Sequence, residues 1–293
     1  GGVDPAPDRC GRLGEIQERG ISIYASLDDF YGAGGVADLA IISSPIQCHR
    51  PQTEIALAHG ASVLCEKPLC ATIQDADAMA AAEAAADGFV AVGYQWSYAA
   101  AVQALKADIM SGTFGRPLDA RALACWPRAA SYYGRNRWAG ALKNADDEWV
   151  LDSPINNAVA HYLHNMLYLL GARRDTSAVP LEVTAELYRA NRISNYDTGM
   201  LRVRMADGFD MVYVASHAVP SAMGPLTHIR FEEADVYTAP NLQHHFCASF
   251  KDGRVKDYGH PADGAARKLW ASIEAVRSGD SPVCGIAAAR SQT

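Results

Sequence analysis

The chain has 293 residues, 49% hydrophobic and 20% charged, the make-up of an ordinary globular protein with apolar material for one large or two medium cores. Its net charge of −7 argues against a broad basic footprint for nucleic acid or an anionic membrane surface, and no apolar run is long enough to span a bilayer. Seven cysteines lie scattered without a C-x-x-C pair or a Cys/His metal spacing, so no metal is expected and a reducing, cytoplasmic setting fits best.

The chain opens on Gly1-Gly2-Val3-Asp4-Pro5, which reads as the tail of a strand without its beginning. It closes near the helix-like Ala287-Ala288-Ala289-Arg290, so residues are expected to be missing at both ends. Val36 to Ile42 is a near-continuous apolar strand ending at Ser43-Ser44-Pro45, as expected when both faces of a parallel sheet are covered. Arg50 to His59 reads as a helix stopped by Gly60, and Ala61-Ser62-Val63-Leu64 as the next strand. That strand runs into Cys65-Glu66-Lys67-Pro68. A lysine is thereby placed at the carboxyl end of a buried strand, the edge where ligands sit in open α/β sheets. Such a lysine, partly desolvated, exchanges protons with a substrate hydroxyl; taken alone, the tetrapeptide more often marks an exposed structural lysine. Thr72 caps a helix running through Ala86, with Asp75 in the capping-box position. Phe89 to Tyr94 is a further strand and Ala99 to Met110 a further helix. The alternation is the βαβ signature of a parallel sheet with helices on both faces.

Around Gly115-Arg116-Pro117 the texture changes. Leu181 to Arg189, Thr198 to Met205 and Phe209 to His217 alternate in polarity, and Ala206-Asp207-Gly208 makes a hairpin turn between the last two. Such alternation predicts an antiparallel sheet with two differently occupied faces. Two helices accompany it: Ile155 to Leu170, stopped by Gly171, and Ala265 to Ser278, stopped by Gly279. The expected boundary lies near residue 118, giving domains 1–118 and 119–293 with a cleft between them.

Three sets of side chains carry candidate chemistry. Asn157 and His161 share a helix face. Either Asn156 or Asn157 caps the helix and His161 is a satisfied histidine, or His161 faces the cleft as a general acid/base. Asp4 is either a turn aspartate before proline or a carboxylate for the ribose diol of a dinucleotide. The Gly32-Ala33-Gly34-Gly35 run precedes a strand rather than following one, so it does not substitute for a phosphate-binding loop. Tyr132-Tyr133-Gly134-Arg135-Asn136-Arg137-Trp138 either docks on its own domain or stacks on a sugar and binds its hydroxyls or carboxylate.

Glu66-Lys67-Pro68 after an apolar strand, Ser44-Pro45 followed by His49, the His161 helix, the Lys268–Glu274 segment and the tail Pro282-Val283-Cys284-Gly285 occur in a telling order. Together they resemble, across almost the whole chain, the glucose–fructose oxidoreductase/inositol dehydrogenase family, Gfo/Idh/MocA. The resemblance implies an α/β fold: an N-terminal Rossmann domain, parallel and doubly wound, followed by an α+β domain with a large open, mainly antiparallel sheet. It implies NAD as cofactor, with NADP possible, and a first strand and glycine-rich loop lying before this sequence. It implies a homo-oligomer, dimer or tetramer, formed through the open sheet. Carried over by position, Lys67 handles the substrate hydroxyl proton, with His161 and Asn157 beside it. Asp4, Ser44, Pro45, His49, Glu66, Lys67 and Gln95 line the cofactor cleft, with Arg9 near enough to Asp4 to blunt its preference for NAD. Tyr133, Arg137, Trp138 and His164 are assigned to the substrate. Dehydrogenases of the family usually carry an aspartate where this chain has Asn157, and often an acid at His164; an amide supplies no negative charge. The activity so implied is hydride transfer between nicotinamide and a sugar, polyol or sugar acid. The alternatives are an NAD-dependent glycoside hydrolase or lyase working by transient oxidation, and a non-catalytic nucleotide or sugar sensor.

Overall fold

A computed structural model describes residues 1–293. Gly2–Val3 (β1) and Ile23–Tyr24 (β2) pair in parallel, and Leu39–Ile42 (β3), Ser62–Cys65 (β4) and Val90–Val92 (β5) form a second parallel sheet in the order β3-β4-β5. Helices Leu13–Glu18 (α1), Leu27–Gly32 (α2), His49–Ala58 (α3), Ile73–Ala84 (α4) and Ala100–Met110 (α5) alternate with these strands. The strand expected from Val36 starts only at Leu39; Val36 lies in irregular chain between α2 and β3 and is 87% exposed. Thr72 caps α4 as expected, its hydroxyl accepting the Asp75 N–H.

The second half is built on eight strands: Pro117–Cys125 (β6), Pro180–Tyr188 (β7), Thr198–Met205 (β8), Asp210–Ser216 (β9), Met223–Phe231 (β10), Ala234–Ala239 (β11), His245–Phe250 (β12) and Val255–Gly259 (β13). They run in the order β13-β12-β11-β10-β6-β9-β8-β7, antiparallel throughout except for β6 beside β9. Register sorts the side chains into two faces, since directly opposed residues share a face. One cross-strand row reads Val203, Met211, Ala120, Ile229, Val236 and Ala248, all buried. Small residues on β6 (Ala120, Ala122, Ala124) let a bulky helix settle on this face. On the opposite face a row of Glu182, Arg204, Asp210, Asp119, Arg230 and Asp235 is tied by ion pairs including Arg204–Glu182 and Arg230–Asp119.

After a short helix, Ala130–Tyr133 (α6), the expected long helix at Ile155–Leu170 is divided. Pro154–Ala158 winds as a π turn, with the Val159 N–H reaching back to the Pro154 carbonyl at 2.9 Å, and Ala160–Leu169 (α7) follows. The Tyr213 hydroxyl donates to the Val159 carbonyl at 2.7 Å, which ties the break to β9. Gly171 does follow α7, but closeness rather than a left-handed φ requires it: a Cβ there would overlap the Thr176 carbonyl. Every residue of α7 is buried except His161, which is half-buried.

The chain then returns to its first half. Helix Gly264–Ser278 (α8) packs on the Gln95–Tyr98 turn and on β3 and β4, while Ile286–Ala289 (α9) lies against β5. The Val92 N–H donates to the Cys284 carbonyl at 2.7 Å. Helix α8 approaches so closely that a Cβ on Gly264 would overlap the Gln95 carbonyl oxygen. Gly264→Ala is therefore expected to destabilise the fold by about 1–3 kcal/mol through overpacking, against a helix-propensity gain of ~1 kcal/mol; a urea unfolding curve unchanged or shifted to higher midpoint would contradict this packing.

Candidate active site

Because β3, β4 and β5 are parallel, their carboxyl ends emerge on one edge. That edge carries Ser43-Ser44-Pro45, Glu66-Lys67-Pro68 and Gly93-Tyr94-Gln95. His49, fully buried at the start of α3, fastens two of these loops together. Its Nδ1 lies 2.9 Å from the Pro68 carbonyl and 3.3 Å from that of Leu69, and its Nε2 lies 3.0 Å from the Ser44 carbonyl. Burial pushes its pKa down while these carbonyls pull it back up. Expected as part of the cofactor lining, the ring instead lies buried between two loops, with Nδ1 facing the loop that presents Lys67 and Nε2 the loop after β3.

Lys67 reaches across to the second half. Its Nζ donates to the Asn157 backbone carbonyl at 2.7 Å and to the Asn157 side-chain Oδ1 at 2.9 Å. Burial is the main cause that pulls its pKa from the usual lysine range to about 8; the Lys268 ammonium adds to this, and Glu66 and Asp152 oppose it. Glu66 in turn is paired with Lys268 from α8. The Asn157 amide does not stand alone: its Nδ2 donates to Asp152 Oδ1 at 2.6 Å, and the Gly140 N–H donates to the other carboxylate oxygen at 2.6 Å.

His161 sits beside this group. Its pKa is driven down to about 3, first by burial and then by the Lys67 and Lys268 ammonium groups, so the ring is neutral near pH 7. Its Nδ1 is buried without a partner. A proton on Nε2 leaves Nδ1 as the unpaired acceptor and makes Nε2 a donor toward the cleft.

The structure brings Lys67, Asn157 and His161 together and disperses some of the other candidates. His164 is not at the cleft: it stacks on Tyr94 at 3.8 Å and bonds Ser97 Oγ through Nε2 at 2.9 Å, fully buried. One turn beyond His161, it faces the β5 side, where a charged substrate has no access. Asp4 does end β1, exposed, with its Oδ1 accepting the Ala6 N–H at 2.8 Å, so the turn role is real and one oxygen is left over. Ser44 Oγ bonds Gln52 at 2.6 Å, Pro45 is exposed and Gln95 opens the turn under α8. Trp138 packs with Ile46, Ala71 and Val150, so the aromatic loop docks on the loops that follow β3 and β4. Arg137 is exposed on that loop, whereas the buried Tyr133 hydroxyl has no partner and is pushed up to about 12 by burial. Asp152 and Lys268 went unnoticed in the sequence. Asp152 stands in Leu151-Asp152-Ser153-Pro154, where an acid before a helix reads as a cap, yet the cap is Ser153.

A broad concavity of about 1260 Å³ lies elsewhere, between the exposed β7 end of the sheet and the tail around Gln292. It contains neither Lys67 nor His161. Its wall includes the uncovered strand β7, where Val183 is 54% and Leu187 49% exposed.

Comparison with known proteins agrees with this architecture. The model of an oxidoreductase family with an NAD-binding Rossmann fold, GFO_IDH_MocA, matches residues 4–94. The chain is 36% identical over 96 residues to a 1,5-anhydro-D-fructose reductase of Ensifer adhaerens, covering 33% of this chain and 28% of that protein. It is 26% identical over 194 residues to a D-apiose dehydrogenase of Rhizobium rhizogenes, covering 66% of this chain and 51% of that protein. The chain thus spans about half the length of these curated relatives or less. The WlbA dehydrogenase of Bordetella pertussis, crystallised with NADH and UDP-GlcNAcA, has the same fold, with a TM-score of 0.77 at 23% identity over 99% of this chain and 83% of that one.

His49→Ala removes the one N–H that the neutral ring donates and leaves a hole between the two loops. It is expected to cost about 1–3 kcal/mol of stability, the usual loss for stranded buried polar groups, and to raise proteolytic cleavage in the 66–71 loop. Unchanged stability and unchanged cleavage would remove the clasp from the account.

Proposed function

We propose that the chain, whose residues 4–94 match the Gfo/Idh/MocA oxidoreductase family, is a dehydrogenase or reductase acting on the CH–OH group of a sugar, polyol or sugar acid with NAD. The observation that carries this reading is Lys67: a lysine at a parallel strand end, half-buried, with a pKa near 8 and two of its donors fixed on Asn157. A bound nicotinamide supplies the acceptor for the hydride that leaves the carbinol carbon.

The residues present suit the ribose and nicotinamide parts of such a dinucleotide. The strand-end edge offers Ser44, Pro45 and Gln95, and Asp4 ends β1 with one carboxylate oxygen left over after its bond to the Ala6 N–H. The Asp4 carboxylate favours a ribose diol over a 2′-phosphate, which it would repel, and this supports NAD over NADP. No glycine-rich loop follows a strand within residues 1–293, so the pyrophosphate cradle is not among these residues.

The proton chemistry belongs to Lys67. As a neutral amine it has two N–H donors and one lone pair. Asn157 O and Oδ1 take both donors, so the lone pair is what remains to accept the substrate hydroxyl proton as the carbonyl forms. In the reverse direction the ammonium returns that proton. Neutral His161 holds and polarises the same oxygen through Nε2–H, and its low basicity excludes it as the main base. The hydride transferred, the proton taken by Lys67 and the new carbonyl balance the oxidation.

Assembly follows from the outward sheet face. An apolar row of Met200, Val214, Leu123 and Leu226 shares this face with the ion-paired row, the row of Arg202, Val212, Arg121 and His228 lying between them, and this pattern of charges flanking apolar residues suits a second copy of the chain. Seven free cysteines suit a reducing, cytoplasmic setting.

Oxidation of the substrate needs neutral Lys67, so its rate is expected to rise with pH through about 8, and the reduction rate to fall through the same point. Lys67→Arg, which stays charged, should lower turnover in both directions by about 10²–10⁴ while dinucleotide binding, followed by tryptophan quenching, persists. Full turnover in Lys67→Arg would overturn the assignment.

A further inference from the structure

We infer that Asp152 is a positioning residue for Lys67: through the Asn157 amide it fixes which atoms face the amine and supplies the negative charge that Asn157 itself lacks. The inference rests on the proposed role of Lys67 as acid/base.

The argument is geometric. Asp152 is 3% exposed, so its carboxylate is held by the chain rather than by solvent. Its Oδ1 takes the Asn157 Nδ2–H at 2.6 Å and its Oδ2 takes the Gly140 N–H at 2.6 Å; its backbone carbonyl takes the Asn195 Nδ2–H at 3.0 Å. The Asn157 amide thus has one orientation compatible with its neighbours. Rotating it by half a turn would set its NH2 against the Lys67 ammonium and its oxygen against a carboxylate, losing two charge-assisted bonds at once. With the orientation fixed, Asn157 Oδ1 and O both point at Nζ, and the amine presents its remaining valence to a substrate.

The two acids near Lys67 are differently employed. Glu66, from the same loop, is paired with Lys268 of α8, and that cation opposes protonation of Lys67. His161 of α7 is neutral near pH 7. Asp152 is the acid bonded to Lys67's own partner, and it has no cation on either oxygen. It also anchors the Gly140 end of the aromatic loop, so the same carboxylate sets the amine and one wall of the cleft.

The test reads Lys67 directly. The pH dependence of acylation of Lys67 by an amine-specific reagent, quantified by mass spectrometry, gives the midpoint of its deprotonation with neither dinucleotide nor sugar present. Asp152→Asn should lower that midpoint by about one pH unit, since it removes a full charge two hydrogen bonds away, behind the Asn157 amide. Exchanging the groups in Asp152→Asn/Asn157→Asp puts a carboxylate against the amine and an amide behind it, and should raise the midpoint above that of the single variant and restore turnover. If Asp152→Asn does not fold, Asn157→Leu, which cuts the link and keeps the carboxylate, should lower the midpoint instead. A midpoint unmoved by these changes, or an exchange that restores nothing, overturns the role of Asp152. Midpoints that move as expected in a protein that turns over no sugar would leave Asp152 in place and count against the oxidoreductase reading.

Discussion

One contact organises the molecule: the Lys67 amine, delivered by a strand end of the first sheet, bonded to both oxygens of Asn157 at the head of the helix that the second sheet carries. The contact spans the junction of the two halves, so neither half alone forms the site. Everything around it acts to hold its two ends. His49 bolts the Lys67 loop to the loop after β3, the π turn and Tyr213 set Asn157 ahead of α7, and Asp152 orients the amide. Helix α8, drawn close by Gly264, brings Lys268 to Glu66 and so closes the site from the third side.

Desolvation decides the electrostatics. An ammonium in this position loses water, and its two neutral acceptors on Asn157 do not replace a full counter-charge; two acids and one further cation then pull in opposite directions. The outcome is an amine that exchanges its proton near neutral pH, the range in which a general acid/base is most effective. Burial first, and then the Lys67 and Lys268 ammonium groups, suppress protonation of His161, so the two neighbours bind protons on opposite sides of neutral pH. Two neighbouring groups with their affinities for protons driven apart are what the proposed acid/base role of Lys67 requires. A site of this kind is costly to keep, because the buried amine and the unpartnered His161 Nδ1 both weigh against folding.

Much of the fold was legible because it is written in local patterns. Strand β4 and the tetrapeptide after it, the capped helix α4 and the hairpin between β8 and β9 all carry periodicity or turn chemistry within a few residues. Lys67, Asn157 and His161 were legible for a related reason, since their motifs are contiguous. The misses are those that depend on long-range contact. His164 carries the same side chain as His161 three residues earlier, and only packing against Tyr94 separates a buried stack from a cleft residue. His49 reads as a lining residue until three carbonyls from distant loops close on it. Asp152 is hidden because its function passes through the amide of another residue. The return of α8 and α9 to the first sheet is invisible to a reading in chain order, as their contacts lie more than a hundred residues away.

The measurement that bears most directly on the central claim is the destination of a carbinol hydrogen. Sugars and polyols shown to bind the protein, deuterated at each carbinol carbon in turn, are incubated with it and NAD, and the mass of the nicotinamide product is read. The account predicts deuterium from one carbinol position in the reduced nicotinamide, delivered faster as the pH rises through about 8. A sugar and NAD bound together, with the deuterium retained on the sugar at every position and pH, would contradict it.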